Sequence, residues 1–258
     1  MAKSGLTNQK LARQASKQFW QYRGRLIGLT AIIAVPLAVL GNLVGLATAN
    51  PPDATFAAYS TFLSIIMNVA LIWLIIQLLS RKSATVKEAY YNGTGSLVRF
   101  MLVAVVLSLA LIPFLIGALI YASGVFGASV VATTPEKILL GALWILLATP
   151  TLWLLSRLFL AIYVVVGHGH TPIAALRLSN RLVKGQTGKV MLRLIGLVVA
   201  SLAALSLPAL LLSGVGAGGN LSLLARFELL GVQLLSTVIV LPVANLYLYG
   251  MYQVLERS

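Results

Sequence analysis

The sequence predicts an all-α integral membrane protein with six transmembrane helices, arranged as three parallel-related hairpins. Three observations predict this fold. The 258 residues are 59% hydrophobic and only 9% charged, whereas soluble domains carry about 25% charged residues. Six long apolar stretches follow one another along the chain. A unit made of a basic amphipathic segment, a glycine and a proline-containing apolar span occurs three times in a single membrane domain, 1–258, over residues 7–80, 83–166 and 171–255.

The apolar stretches are each long enough to cross a hydrocarbon core of about 30 Å, which takes about 20 helical residues. All but the fourth lack charged residues. Backbone polar groups in lipid have to be satisfied within the spanning segment, so all six stretches are predicted to be helices. They cover residues 26–48, 57–80, 100–123, 138–163, 194–213 and 229–250.

A short amphipathic helix is predicted on the cytoplasmic membrane surface before each hairpin. These helices are Thr7–Tyr22, Ser83–Asn92 and Thr171–Gly185, and Ser83 or Thr85 can cap the second. Each is expected to pack against its hairpin, with binding of anionic lipid as the alternative role. One face of the first helix carries Leu11, Ala15, Phe19 and Tyr22, and one face of the third carries Ile173, Leu176, Ser179 or Asn180, and Val183. In the second helix, Val86 and Tyr90 are expected to face lipid or protein.

The repeat also sets where helices should break. The first and third copies share the pentapeptide Arg-Leu-Ile-Gly-Leu, which begins at Arg25 and Arg193. Gly24 is expected to separate the first amphipathic helix from its span. Prolines inside the spans lack an N–H and should each bend a helix or open a turn. These prolines are Pro36, Pro113, Pro150, Pro208 and Pro242.

Charge alternates between the connections. Six of the 19 lysines and arginines lie in 1–25, four in 81–99 and five in 177–193. The external connections, which include short turns at 50–53 and 214–219, sum to minus one. This positive-inside pattern predicts a plasma (inner) membrane protein with both termini in the cytoplasm. The net charge of +14 is then expected to set the topology and to contact anionic headgroups, and not to bind nucleic acid. The predicted lipid contacts are Lys10, Arg13, Lys17, Arg23, Arg25, Arg181, Lys184 and Lys189.

A charge inside a span is costly and is often functional. Arg157 is the one charge well inside a span. If the fourth span ends near Val166, Arg157 lies about 13.5 Å deep at 1.5 Å per residue. The candidate intramembrane polar site consists of Arg157, Asn68, Asn245 and Tyr249. An arginine that ties the bundle together and an arginine that binds a substrate or a lipid phosphate are both compatible with this pattern.

No residue pattern predicts catalysis, a cofactor or a metal site. The chain has no cysteine, and its five carboxylates are scattered. His168 and His170 resemble a metal motif, but a site needs three or four ligands. An intramembrane enzyme would need an acid–base pair or a Ser/His constellation, and neither is evident in the sequence.

The stretch from Arg157 to Gly196 resembles a known bacterial family. The residues that carry the resemblance are 157–161 (RLFLA), 174–179 (AALRLS), 181–185 (RLVKG) and 189–190 (KV). They are similar to the membrane domain found ahead of some glycerophosphoryl diester phosphodiesterases, which also has free-standing six-helix relatives. The resemblance implies a membrane module without the hydrolase half. It lends no catalytic residue, and it implies that Arg157 supports the cytoplasmic side.

Two functions fit this reading. The first is a non-enzymatic scaffold or regulatory module at the cytoplasmic lipid interface, with membrane lipids and a cytoplasmic or membrane protein as partners. The second is a small transporter or lipid-handling protein with a cavity between kinked helices. A polar, solvent-connected cavity would favour the second function, and a dry, close-packed centre would favour the first. Homo-oligomerisation stays open.

Overall fold

The computed structural model describes residues 8–48, 54–80, 83–126, 134–213, 231, 234 and 236–257. Within these ranges the chain is helical and contains no strand. Six helical segments are long and apolar enough to cross a membrane, which confirms the prediction of an all-α protein with six candidate spans. The predicted external turns at 50–53 and 214–219 lie outside the described residues.

We number the helices α1 to α10 in chain order, with one π-helical turn before the last. Their bounds are α1 Asn8–Thr48, α2 Ala54–Leu79, α3 Val86–Thr94, α4 Leu97–Ala110, α5 Ile112–Phe126, α6 Thr134–Leu158, α7 Ala161–His168, α8 Pro172–Val183, α9 Thr187–Ser213, the π-helical turn Ser236–Val240, and α10 Leu241–Glu256.

The chain groups into two compact units. Unit 1 takes in the described parts of Met1–Leu97 and Ile195–Ser258, and unit 2 takes in those of Val98–Leu194. In unit 1, α1 packs against α2 and α10, and α3 packs against α2. In unit 2, α5 packs against α6, and α8 packs against both α6 and α7.

The first amphipathic segment and the first span form one uninterrupted helix, so the predicted break at Gly24 is wrong. The 41 residues of α1 run through Gly24 and Gly28. Leu11, Ala15 and Phe19 are buried, and further along the same helix Leu26 and Leu29 are buried as well. These positions keep a helical phase across the glycines, so one continuous face packs inward. A helix-interior glycine costs only about 1 kcal/mol relative to alanine, which is too little to end a helix that is packed on both sides of it.

The core of unit 1 lies at the end that holds the start of α1 and the end of α10. Along α2, residues 69–72 and 74–76 are buried, whereas Tyr59 is 60% exposed. A Cβ added to Gly250 near the end of α10 would lie 3.7 Å from Leu11 Cδ2 near the start of α1. We call this region, made of residues 11–29, 69–79, 86–94 and 246–255, the packed end of unit 1.

The short helix α3 is held firmly in that packed end. Thr85 caps it, as one of the two predicted caps, by accepting a bond from the Glu88 N–H while the Glu88 carboxylate accepts one from the Thr85 N–H. This reciprocal pair is a capping box. A Cβ at Gly93 would lie 3.0 Å from Ala70 Cα, so α3 approaches the backbone of α2 closely. The helix therefore packs on protein rather than lying free on a membrane surface.

Unit 2 has a similar division between exposed and buried segments. The third span divides at Leu111, two residues before Pro113. The fourth is interrupted at Phe159 and Leu160, between α6 and α7, instead of running unbroken over 138–163. Ile145 in α6 is 67% exposed, whereas residues 160, 161 and 163–166 are all buried. We call α7, α8 and this interruption the packed end of unit 2.

The residues predicted to share one face of the third amphipathic helix are buried only in part. In α8, Ala175, Ser179 and Val183 are buried at four-residue spacing, while Ile173 is 65% exposed. Small side chains occupy the contact because they let helices approach closely. The larger Ile173 therefore faces outward, even though its hydrophobicity suggested the opposite.

Candidate functional site

Three of the four candidate intramembrane polar residues belong to unit 1. Asn245 in α10 donates from Nδ2 to the Oδ1 of Asn68 in α2 over 3.5 Å, and to the Leu241 carbonyl over 3.0 Å. Tyr249 lies one turn further along α10 and is buried, as Asn245 is. Polar side chains between apolar helices contribute modestly by bonding to one another, so this pair mainly fixes the register of α2 and α10.

The turn before Asn245 is wider than an α-helical turn. Residues Ser236–Val240 form a single π-helical turn, and Pro242 follows at the start of α10. Proline has no N–H to donate to the carbonyl four residues earlier, which favours a local change of helix type. The predicted effect of Pro242 is therefore visible in the helix pattern, and it places the asparagine just beyond the irregular turn.

Arg157 belongs to unit 2 and lies at the helix interruption. Ala161, four residues on, begins α7 instead of continuing α6, so the Arg157 carbonyl is at a helix end. The buried Ser179 hydroxyl of α8 donates to this carbonyl over 2.6 Å. Carbonyls at the end of a helix need partners from outside it. Ser179 thus supplies the hydrogen-bond partner that the Arg157 carbonyl lacks at the interruption, and it ties α8 to the last turn of α6.

The side chain of Arg157 lies on an aromatic ring. Its guanidinium carbon is 3.9 Å from the centre of the Trp153 ring, a cation–π geometry. Its Nε is buried and has no hydrogen-bond partner among the described residues. A buried N–H without an acceptor costs about 1–3 kcal/mol. The ring therefore orients the guanidinium while at least one of its N–H groups stays unsatisfied.

The predicted lipid contacts are all on the surface. Each of the eight side chains is exposed in its unit: five lie on α1, Arg181 lies on α8, Lys184 directly follows α8, and Lys189 lies in the first turn of α9. Arg23 lies over the Trp20 ring at 5.3 Å. On α1, Lys10, Arg13 and Lys17 lie outside the buried stripe, so the packing of α1 on α10 presents these charges outward.

Two polar contacts were not anticipated from the sequence. Arg99 at the start of α4 donates from Nη1 to the Gly169 carbonyl over 2.6 Å, at the left-handed turn (φ 66°) that ends α7. Tyr90 in α3 donates its hydroxyl to the Leu29 carbonyl over 2.7 Å, and burial raises the pKa of Tyr90 to about 12. The only sequence signal for the Arg99 contact is the glycine that follows a helical segment, which is a common way for a helix to end. Tyr90 was expected to face lipid or protein, and no partner was predicted for its hydroxyl.

The histidine pair does not gather further ligands in the described part of the chain. The rings of His168 and His170 stack with centroids 6.0 Å apart, and both side chains are exposed. In the described ranges no group of three or more His, Cys, Asp or Glu residues converges.

Comparison with known proteins gives no relative for this arrangement: no family model, curated protein or solved structure matches the chain.

Proposed function

We propose that this protein is a non-enzymatic module of the plasma (inner) membrane that holds anionic lipid headgroups at its cytoplasmic face and serves there as a scaffold or regulatory element. The observation that carries the proposal is the coincidence of burial and charge. In each unit, exposed basic residues accompany the packed end, while the rest of the helices present apolar side chains outward. A packed end of this kind suits the headgroup level, where both water and phosphate are present.

The orientation follows from the charges. The basic packed ends would face the cytoplasm by the positive-inside rule, with both termini there. The contact between Leu11 and Gly250 supports a common side for the two termini, because it joins the start of α1 to the end of α10. Basic side chains near an anionic surface contribute about 1 kcal/mol each. The three amphipathic segments would then act as fixed basic surfaces, one for each proposed hairpin of a parallel threefold repeat.

The alternative, a small transporter or lipid-handling protein, has less support. It calls for a wet cavity near Asn68 or Asn245. These two amides bond to each other, next to the buried residues Val69, Ala70 and Leu246. The chain has no cysteine, so an Asn245→Cys variant carries a single thiol. A membrane-impermeant thiol reagent should leave it unlabelled if the module proposal is right, and rapid labelling would favour a transporter.

The module proposal is tested by the lipids that accompany the protein. We expect protein purified in mild detergent to be enriched in anionic over zwitterionic phospholipid relative to the source membrane. Changing Lys10, Arg13 and Lys17 to Gln should lower that enrichment about threefold or more, since each cation contributes about 1 kcal/mol. Lys137→Gln is the matched control because this lysine lies in the first turns of α6, away from the packed end. Equal enrichment in all three proteins would refute the proposal.

A further inference from the structure

The length of α6 changes the expected depth of Arg157. The helix has 25 residues, or about 37 Å at 1.5 Å per residue. A hydrocarbon core of about 30 Å is therefore crossed by α6 alone. Arg157 lies in its last turn, so it does not need to lie nine residues inside the membrane, as it would if the span ended near Val166.

The surroundings of α7 agree with this shallower position. Residues 160, 161 and 163–166 are buried by protein, and α8 packs along α7. Trp153, by contrast, is 44% exposed. The outward-facing part of the fourth span thus ends close to Trp153 and Arg157. Tryptophan and arginine at the end of a spanning helix are typical of the headgroup level.

We propose that Arg157 binds the phosphate of a single phospholipid with an anionic headgroup, with Trp153 orienting the guanidinium and Ser179 fixing the backbone beneath it. This inference rests on the proposed function and names its ligand site. Guanidinium N–H groups match phosphate oxygens in a bidentate manner. The Nε that has no acceptor among the described residues shows that the protein itself leaves the guanidinium incompletely satisfied.

The charge of unit 2 selects the headgroup. Between Val98 and Leu194 there are eight lysines and arginines, Arg157 among them, and a single acidic residue, Glu136. Such a field repels the ammonium of a zwitterionic headgroup and attracts an anionic one. Arg177 and Arg181 are exposed on α8, the helix that carries Ser179. A glycerol-type anionic phospholipid therefore fits this unit better than a choline or ethanolamine lipid.

The test is native mass spectrometry of the whole protein, titrated with phosphatidylglycerol or phosphatidylcholine in mild detergent. We expect one phosphatidylglycerol to remain bound after the others are removed, and no phosphatidylcholine. Arg157→Gln should weaken retention about tenfold, the effect of roughly 1.4 kcal/mol. Arg157→Lys keeps the positive charge but loses the planar guanidinium. Its lipid retention should therefore fall between that of the wild type and that of Arg157→Gln. Lys137→Gln, which removes a positive charge of the same unit at the opposite end of α6, is the matched control and should retain the lipid.

Three outcomes would overturn the inference. Wild-type protein that retains no single lipid refutes it without any variant, so the test survives if Arg157→Gln does not fold. Retention unchanged in Arg157→Gln places the lipid elsewhere. Displacement of the retained lipid by millimolar inorganic phosphate would assign the site to a free anion. In each case the enrichment measured with the Lys10, Arg13 and Lys17 variant still judges the proposed function on its own.

Discussion

Both units fasten a short helix to a long one by the same device. In unit 1 the Tyr90 hydroxyl of α3 donates to the Leu29 carbonyl of α1 over 2.7 Å; in unit 2 the Ser179 hydroxyl of α8 donates to the Arg157 carbonyl of α6 over 2.6 Å. The long helix continues past Leu29 but ends just after Arg157. The first bond therefore supplements a helical carbonyl, whereas the second satisfies a helix end.

The polar side chains inside the two units also differ in how far their hydrogen-bonding groups are satisfied. Asn68 and Asn245 of unit 1 bond to each other. Arg157 of unit 2 has an aromatic ring beneath it and an Nε that no described residue satisfies. Unit 1 therefore uses its two asparagines for packing, whereas unit 2 contains an N–H donor without an acceptor among the described residues. This difference is the reason why the proposed lipid site lies in unit 2.

The strongest way to break unit 1 is to fill the close contact between α3 and α2. A Cβ at Gly93 meets Ala70 Cα at 3.0 Å, and backbone cannot move aside cheaply. Gly93→Val should lower the free energy of unfolding by about 3 kcal/mol, as overpacking does. Gly24→Ala is the control: nothing lies within 4 Å of its added Cβ, so it should stabilise α1 by about 0.5–1 kcal/mol. Thermal unfolding in detergent measures both, and equal melting temperatures would contradict the close packing.

The two hydroxyl bonds should differ in strength. Ser179→Ala removes the partner of a carbonyl at a helix end inside a buried contact, and should cost about 2 kcal/mol. Ser108→Ala is the control, because that hydroxyl bonds within its own helix and is exposed. The measurement is again thermal unfolding, combined with lipid retention. If Ser179→Ala is as stable as Ser108→Ala, the bond from Ser179 to the carbonyl at the helix end contributes no special stability.

Tyr90→Phe should cost less, about 1 kcal/mol at neutral pH, since the Leu29 carbonyl keeps its place in a continuous helix. Burial raises the pKa of Tyr90 from 10.0 to about 12. A raised pKa means that this residue's contribution is complete below pH 10 and is lost as the pH rises from about 10 to 12. The stability difference between wild type and Tyr90→Phe should therefore shrink over that window. A difference that stays constant between pH 9 and 12 would contradict the buried hydroxyl.

Sequence reasoning reached the spans because length and hydropathy alone determine them, and it reached the Thr85 cap because Glu88 follows at the capping-box spacing. It placed a break at Gly24 because it treated a glycine as a stop and overlooked that Leu26 continues the stripe of Phe19. Whether a helix continues through a glycine depends on whether the buried positions before and after it keep the same helical phase, and not on the glycine alone.

The contacts that define the candidate site could not be read from the sequence. Ser179 and Arg157 are 22 residues apart, and their bond depends on an interruption at Phe159 and Leu160 that no proline or glycine marks. The face of α8 was misjudged for a related reason. Hydrophobicity pointed to Ile173, whereas the closeness of α6 and α7 selects Ala175 and Ser179.

The smallest expected effect tests the packing role of the asparagines in unit 1. Asn68→Ala, Asn245→Ala and the double variant form a double-mutant cycle. The 3.5 Å separation of Nδ2 and Oδ1 is long for a hydrogen bond, and such pairs between membrane helices contribute about 0.6 kcal/mol on average. We expect a coupling free energy of about that size from the three unfolding curves, with lipid retention unchanged. A coupling free energy several times larger, or a loss of the retained lipid, would mean that unit 1 also has a ligand-binding centre, and the division of roles between the two units would fail.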